Sequence, residues 1–183
     1  SSSIHRANII PEKCKNKKPA QCANGGFPHP RECSKCVCPS GYGGDLCDRR
    51  PPDGCGSELE AGPDWKTLTD LMMNVRTEEY LDGYEKCHYW IKSPNNTFIE
   101  IRIKSLTPAG PVLDGCVEAG VEIKTQQNQL LTGYRYDLFL RFCYADHERL
   151  VLKSCSNLVP VIFYSRSKGM SKISLEYRHG IFH

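Results

Sequence analysis

Residues 22–47 read CANGGFPHPRECSKCVCPSGYGGDLC. With Cys14 the stretch holds six cysteines, about one residue in six, which leaves few apolar side chains for a core. So short a segment cannot bury enough surface to offset its chain entropy. Disulfides or a bound metal are the two usual remedies. Asn24-Gly25-Gly26 and Gly41-Tyr42-Gly43-Gly44 are turn sequences, because glycine reaches positive φ at little steric cost. Two such turns around Cys36-Val37-Cys38 predict a small two-stranded ribbon stapled at both ends. Cys33, Cys36 and Cys38 with His29 also have the ligand types of a zinc site. Six cysteines allow fifteen connectivities, and spacing alone does not choose among them.

The whole chain has 183 residues, room for a small module and a medium one. Eleven cysteines point to an oxidising compartment. No run of eighteen apolar residues exists, so no helical membrane span is predicted. The chain starts without Met or a signal-like apolar run, and we expect a mature or excised secreted piece, extracellular in location. A net charge of +3 and a pI near 8.3 suit weak contact with acidic glycans but fall short of a nucleic-acid footprint.

Residues 1–13 carry Ser-Ser-Ser and little periodicity, a flexible leader. Lys15, Lys17 and Lys18 cluster around Cys14, as a solvated loop face or a glycan contact. The ribbon module occupies 14–47, and the polar, Pro-Pro-containing stretch 48–54 is a linker. From Cys55 onward the pattern has period two. Ile99, Ile101 and Ile103 alternate with Glu100, Arg102 and Lys104, and Val121 and Ile123 with Glu122 and Lys124. Val159, Val161 and Phe163 follow suit, as do Ile173, Leu175 and Tyr177. Alternation predicts one face in a core and the other in water. Turn residues separate the runs, and no convincing helical stripe exists, although 68–73 can be misread as one. The fold class is therefore mainly β, with a sandwich of two antiparallel sheets after the cysteine-rich module.

The spacing of Cys14, Cys22, Cys33, Cys36, Cys38 and Cys47, with Asn-Gly-Gly between the second and third, resembles an EGF-like module. The resemblance implies the pairs Cys14–Cys33, Cys22–Cys36 and Cys38–Cys47. Only two residues separate Cys33 from Cys36, so the usual long central hairpin is nearly absent. Cys55-Gly56, Cys87-His-Tyr-Trp90, Asp114-Gly-Cys116, Cys143 and the run 156–163 resemble a CUB domain over 55–178, with 179–183 a frayed tail. That resemblance implies a jelly-roll-like sandwich with Cys55–Cys87 and Cys116–Cys143. The two modules in this order, with DGCVEAGVEIKTQ and LLTGYR, are similar to the C-terminal half of nematode astacin-type metalloproteases.

Astacins hydrolyse peptides with zinc held by a His-Glu-x-x-His helix. No such motif occurs in this chain, and its six histidines are scattered, so we expect no catalytic residue, no cofactor and no zinc. Many CUB domains hold calcium with three acids. The matching positions here are Leu106 or Ser105, Ala119 and Arg166, and only one carboxylate precedes Cys14, so no calcium is expected in either module. Asn95-Asn96-Thr97 is a glycosylation acceptor in a predicted turn. Residues 134–143 hold an insert relative to the family. They read as a longer edge strand or as an aromatic docking edge, with Tyr136, Phe139 and Arg141 the contact residues. Cys155 is left over once ten cysteines pair: a buried thiol, a bridge to a second copy, or a competitor of Cys143 for Cys116. The reading is a secreted, non-catalytic module that binds an extracellular protein, as a protease exosite or a nematode effector acting on a host protein. The alternatives are a fragment of an astacin endopeptidase and a glycan-binding module.

Overall fold

Sulfur rather than hydrocarbon organises the first part of the chain. The computed structural model describes residues 14, 18–52, 54–74, 80–110, 116–129, 141–143 and 150–182. The chain divides into two compact units, Ser1–Pro51 and Pro52–His183. In the first, β1 (Phe27–Pro28) and β2 (Cys36–Val37) pair antiparallel, Phe27 opposite Val37. Cys14 is joined to Cys33, Cys22 to Cys36 and Cys38 to Cys47. The interior of this unit is built from Cys14, Tyr42 and Cys47. Gly26 is required for packing, since a Cβ there would lie 2.6 Å from the Cys47 sulfur. Asn24 donates from its side chain to the Cys47 carbonyl at 2.8 Å, closing the Asn-Gly-Gly turn over the last disulfide. The unit does not stop at Cys47. Gly43 and Arg49 exchange backbone hydrogen bonds of 2.7 and 3.2 Å, drawing the first residues of the predicted linker into the ribbon.

The second unit is a two-sheet sandwich, and its described residues include no α-helix. Its strands are β3 (Glu58–Glu60), β4 (Lys66–Asn74), β5 (Tyr80–Lys92), β6 (Thr97–Thr107), β7 (Ala119–Ile123), β8 (Arg141–Phe142), β9 (Val151–Lys153), β10 (Leu158–Ser167) and β11 (Gly169–Ile181). One sheet has the order β3-β5-β10-β7-β8 and the other β4-β11-β6-β9. All neighbours run antiparallel except β3 on β5. Ile91, Val121, Ile123, Val161 and Phe163 of the first sheet face Ile99, Ile101, Ile103, Ile173 and Leu175 of the second in one core. Disulfides Cys55–Cys87 and Cys116–Cys143 lie in this unit.

Three expectations need correction. The alternation on β6 and β11 does divide core from solvent, but β7 and β10 are buried on both sides. With β5 they are the inner strands of the five-stranded sheet, and its outer side is buried at Ile162 and Tyr164 of β10 and at Trp90 and His88 of β5 as well. Glu122 and Lys124 therefore do not face water. The Lys124 ammonium donates to the Gln129 carbonyl, and burial pulls it below the ordinary lysine range, with the Glu122 charge opposing. Second, the stretch 179–183 is not all tail. His179, Gly180 and Ile181 continue β11 opposite Ile99, Phe98 and Thr97, because the long β6 offers ladder partners to its first residue. Third, the thiol of Cys155 is exposed rather than buried. Ser154 takes the inward position instead, where its hydroxyl accepts from the Ile99 N–H at 2.7 Å, and the next residue turns out.

Candidate functional site

Tyr136, Phe139, Lys15 and Lys17 lie outside the described residues, as does most of the predicted aromatic edge. Arg141 is on β8, an outer strand of its sheet, opposite Glu122 of β7. Lys18 is exposed. Asn95 is exposed in the turn between β5 and β6, where the Asn157 side chain donates to the Ser93 carbonyl at 3.0 Å and approaches Asn95 Oδ1 at 3.4 Å. His29 does not offer Nδ1 to a metal, since that nitrogen accepts the N–H groups of Arg31 and Glu32, each at 3.1 Å. Cys33, Cys36 and Cys38 are all in disulfides.

The residue that sequence reasoning missed is Glu118. Two residues past Cys116, between Val117 and Ala119, it carries no pattern of its own. The antiparallel pairing of β7 and β10 sets it against Arg166 and Ser167, forty-eight and forty-nine residues away. Arg166 Nη2 donates to Oε1 at 2.7 Å, Ser167 Oγ donates to Oε2 at 2.6 Å, and the Arg166 N–H donates to the Glu118 carbonyl at 2.9 Å. The Glu118 side chain is only 5% exposed. The hydrogen bonds from Arg166 and then Ser167 hold the carboxyl below its ordinary range, against the opposing effect of burial. Both carboxylate oxygens are thus engaged by protein donors. Of the other positions considered for calcium, Ala119 opens β7 and Leu106 is buried on β6. Among the described residues, no group of three His, Cys, Asp or Glu side chains is placed to share an ion.

A carboxyl whose folded pKa is depressed contributes stability that is complete above its unfolded value and is lost as pH falls through the folded one. Glu118→Gln should therefore lose about 1–3 kcal/mol at neutral pH. The gap to the parent should narrow as the pH drops below the ordinary glutamate range. Urea midpoints at neutral and acid pH measure both. A gap independent of pH would show that the ionised carboxylate is not what Arg166 and Ser167 stabilise.

The exposed face of the β4-β11-β6-β9 sheet is a second ordered surface. Register places Lys153, Glu100 and Arg178 in one row across β9, β6 and β11, and Val151, Arg102 and Glu176 in the next. Arg178 Nε donates to Glu100 at 2.6 Å and Arg102 Nε to Glu176 at 2.5 Å, while Lys104 lies 3.9 Å from Glu176. The guanidinium carbons of Arg102 and Arg178 lie 4.2 and 4.5 Å from the centre of the Trp65 ring, close enough for cation–π attraction. Lys153 sits 3.7 Å from the Phe98 ring centre.

No protein-family model matches the chain. The sequence is 46% identical over 167 residues to zinc metalloproteinase nas-31 of Caenorhabditis elegans, covering 91% of this chain and 26% of that protein. It is 33% identical over 179 residues to nas-23 of the same species, covering 96% of this chain and 31% of nas-23. Against nas-25, identity is 37% over 159 residues, 84% of this chain and 37% of the relative. The chain thus spans between about a quarter and two fifths of the length of these relatives. Among solved structures it is similar to the CUB1-EGF-CUB2 domains of rat MASP-1, with a TM-score of 0.43 and 14% identity over 93% of this chain and 57% of that one. It is also similar to the MASP-1 CUB2 domain bound to Ca2+, with a TM-score of 0.42 and 14% identity over 66% of this chain and 96% of that one. These structural likenesses are too distant to bear on function.

Proposed function

Because the chain belongs to the EGF-like plus CUB region of nematode astacin-type metalloproteinases, we propose that it is a secreted, non-catalytic unit that binds an extracellular protein. One observation carries this reading. Identity of 46% over 91% of the chain accompanies a sequence with no His-Glu-x-x-His, so what this chain has in common with nas-31 is not a zinc-binding helix. Such a unit serves either as the substrate-selecting exosite of a zinc endopeptidase or as a separate nematode effector that engages a host protein. Sequencing the 5′ end of the transcript separates the two. A His-Glu-x-x-His domain ahead of Ser1 supports the protease, and a signal peptide joined directly to Ser1 supports the effector.

The contact residues proposed are Tyr136, Phe139 and Arg141. Since Arg166 and Ser167 occupy the Glu118 carboxylate, binding should not need calcium. In a pull-down from extracellular fluid, the chain should recover the same protein with calcium and with a chelator. The Tyr136→Ala, Phe139→Ala, Arg141→Ala variant should recover about a tenth as much or less, as loss of interface anchors of this type entails. Equal recovery by both proteins would remove the site, and recovery only with calcium would remove the metal-independent mode.

Two modifications belong to the same reading. Asn95 is proposed to carry an N-linked glycan, and the exposed Cys155 to bridge two copies. Material from a eukaryotic secretory host should run as a dimer on non-reducing electrophoresis, and Cys155→Ser should run as a monomer. Each should shift on glycosidase treatment unless Asn95 is replaced by Gln. A parent that migrates as a monomer without reductant would leave Cys155 a free surface thiol.

A further inference from the structure

The face of the β4-β11-β6-β9 sheet described above plays no part in the protein contact proposed at 136–141. Among its described residues are five basic side chains, Lys153, Arg102, Lys104, Lys172 and Arg178, and two acidic ones, Glu100 and Glu176, five minus two leaving an excess of three positive charges. Their depths differ. The Glu100 and Glu176 side chains are 21% and 18% exposed, whereas those of Arg102, Arg178 and Lys104 are 34%, 40% and 50% exposed. Solvent meets the cationic heads, and the carboxylates beneath them fix where those heads stand. Trp65 adds an aromatic surface in contact with both guanidinium groups.

We propose that this face binds a sulfated glycan chain. The inference goes beyond the reading above and does not depend on which protein the chain engages. Arg102 and Arg178 are each hydrogen-bonded to an acid and set against the Trp65 indole. They lose little further freedom when an anion arrives, so this pair is preorganised, with Lys104, Lys153 and Lys172 around it. Lys153 and Arg178 stand two strands apart in one row, with Glu100 between them. Arg102 and Lys104 follow one another along β6 about 7 Å apart, so the cations are spread along the face rather than gathered at one point. A second copy of this chain is a poor occupant, because two faces each carrying the same excess charge repel. An acidic protein surface fits less well, because it would need an apolar centre to bury. Of the exposed apolar side chains, Leu71 stands opposite Lys172 at the end of the array, and Met73 and Met170 pair one row beyond it, away from Trp65 and the arginines.

The test titrates the full chain with a heparin octasaccharide, with an unsulfated oligosaccharide of the same backbone, and with poly-glutamate. The parent should bind the heparin octasaccharide at physiological salt, and affinity should fall steeply as salt rises, since surface charges are screened. The Lys104→Ala, Lys153→Ala, Lys172→Ala variant should bind at least about tenfold more weakly. The corresponding Lys→Arg triple, which keeps the charge, should bind like the parent. Thermal melting of both triples, unchanged from the parent, excludes a folding defect as the cause. No binding of heparin by the parent would overturn the proposal, as would equal binding of the unsulfated chain. Equal binding of poly-glutamate would assign the face to acidic protein instead. A loss that appears only when Lys15, Lys17 and Lys18 are replaced would place the contact on the first unit.

Discussion

Replacing Gly56 by alanine should destabilise the second unit by at least about 3 kcal/mol, the combined order of backbone strain and overpacking. Gly56 has φ of +87°, a conformation that costs an L side chain energy even in open space. The space is not open. A Cβ would sit 1.9 Å from the His88 carbonyl oxygen and 2.5 Å from its carbon. Those atoms are main chain of a central part of β5, so no side chain can swing away to make room. The same backbone approach lets the Trp90 N–H donate to the Ser57 carbonyl at 3.0 Å and starts the parallel pairing of β3 on β5. Cys55–Cys87 ties the chain down one residue earlier, so the strain cannot relax by moving the segment off. Gly83→Ala provides the control, since among the described residues no atom apart from its chain neighbours lies within 4 Å of the Cβ it would add. That variant should stay within about 0.5 kcal/mol of the parent, as surface substitutions do. Urea denaturation of the two variants measures the contrast. A Gly56→Ala midpoint close to that of Gly83→Ala would show that β3 is not held by this approach.

Loss of the Cys22–Cys36 bond should have an effect of similar size on the other unit. Removing a native disulfide from a small domain costs about 2–5 kcal/mol. Among its described residues the first unit has little else to draw on: two strands of two residues each, with Cys14, Tyr42 and Cys47 as the buried hydrophobic side chains. In the Cys22→Ser, Cys36→Ser variant, tryptic cleavage after Arg31 and Lys35 should quicken about tenfold or more. Peptides from β6 and β11 should stay protected, because their stability comes from the apolar core of the sandwich. Limited proteolysis followed by mass spectrometry reads both units in one sample. Unchanged cleavage of the first unit would mean that the remaining two disulfides suffice to fold it.

Part of this architecture can be read one residue at a time. Period-two alternation on 99–103 and 173–177 marks strands that face core on one side and water on the other, because those strands lie on the solvated sheet. The same alternation misleads at Glu122 and Lys124. Their charges suggest a wet face, yet β7 is an inner strand of a sheet covered on both sides. Burial of the Lys124 charge is offset by its hydrogen bond to the Gln129 carbonyl and by the nearby Glu122 charge. Similarly, Arg166 reads in sequence as a residue that would repel calcium, but the carboxylate it holds is visible only once β7 and β10 lie side by side.

Composition and local pattern alone determined the β class, a sulfur-dependent first unit before a sandwich, and the absence of a zinc-helix motif, since each depends on which residues stand near one another in the chain. Tertiary structure alone decided that Glu118 meets Arg166, that Cys155 points outward while Ser154 points in, and that Trp65, Arg102, Lys153 and Arg178 share one face. The physical reason is that strand register, which no local sequence encodes, brings together charges separated by dozens of residues, and burial then settles which of them water can reach.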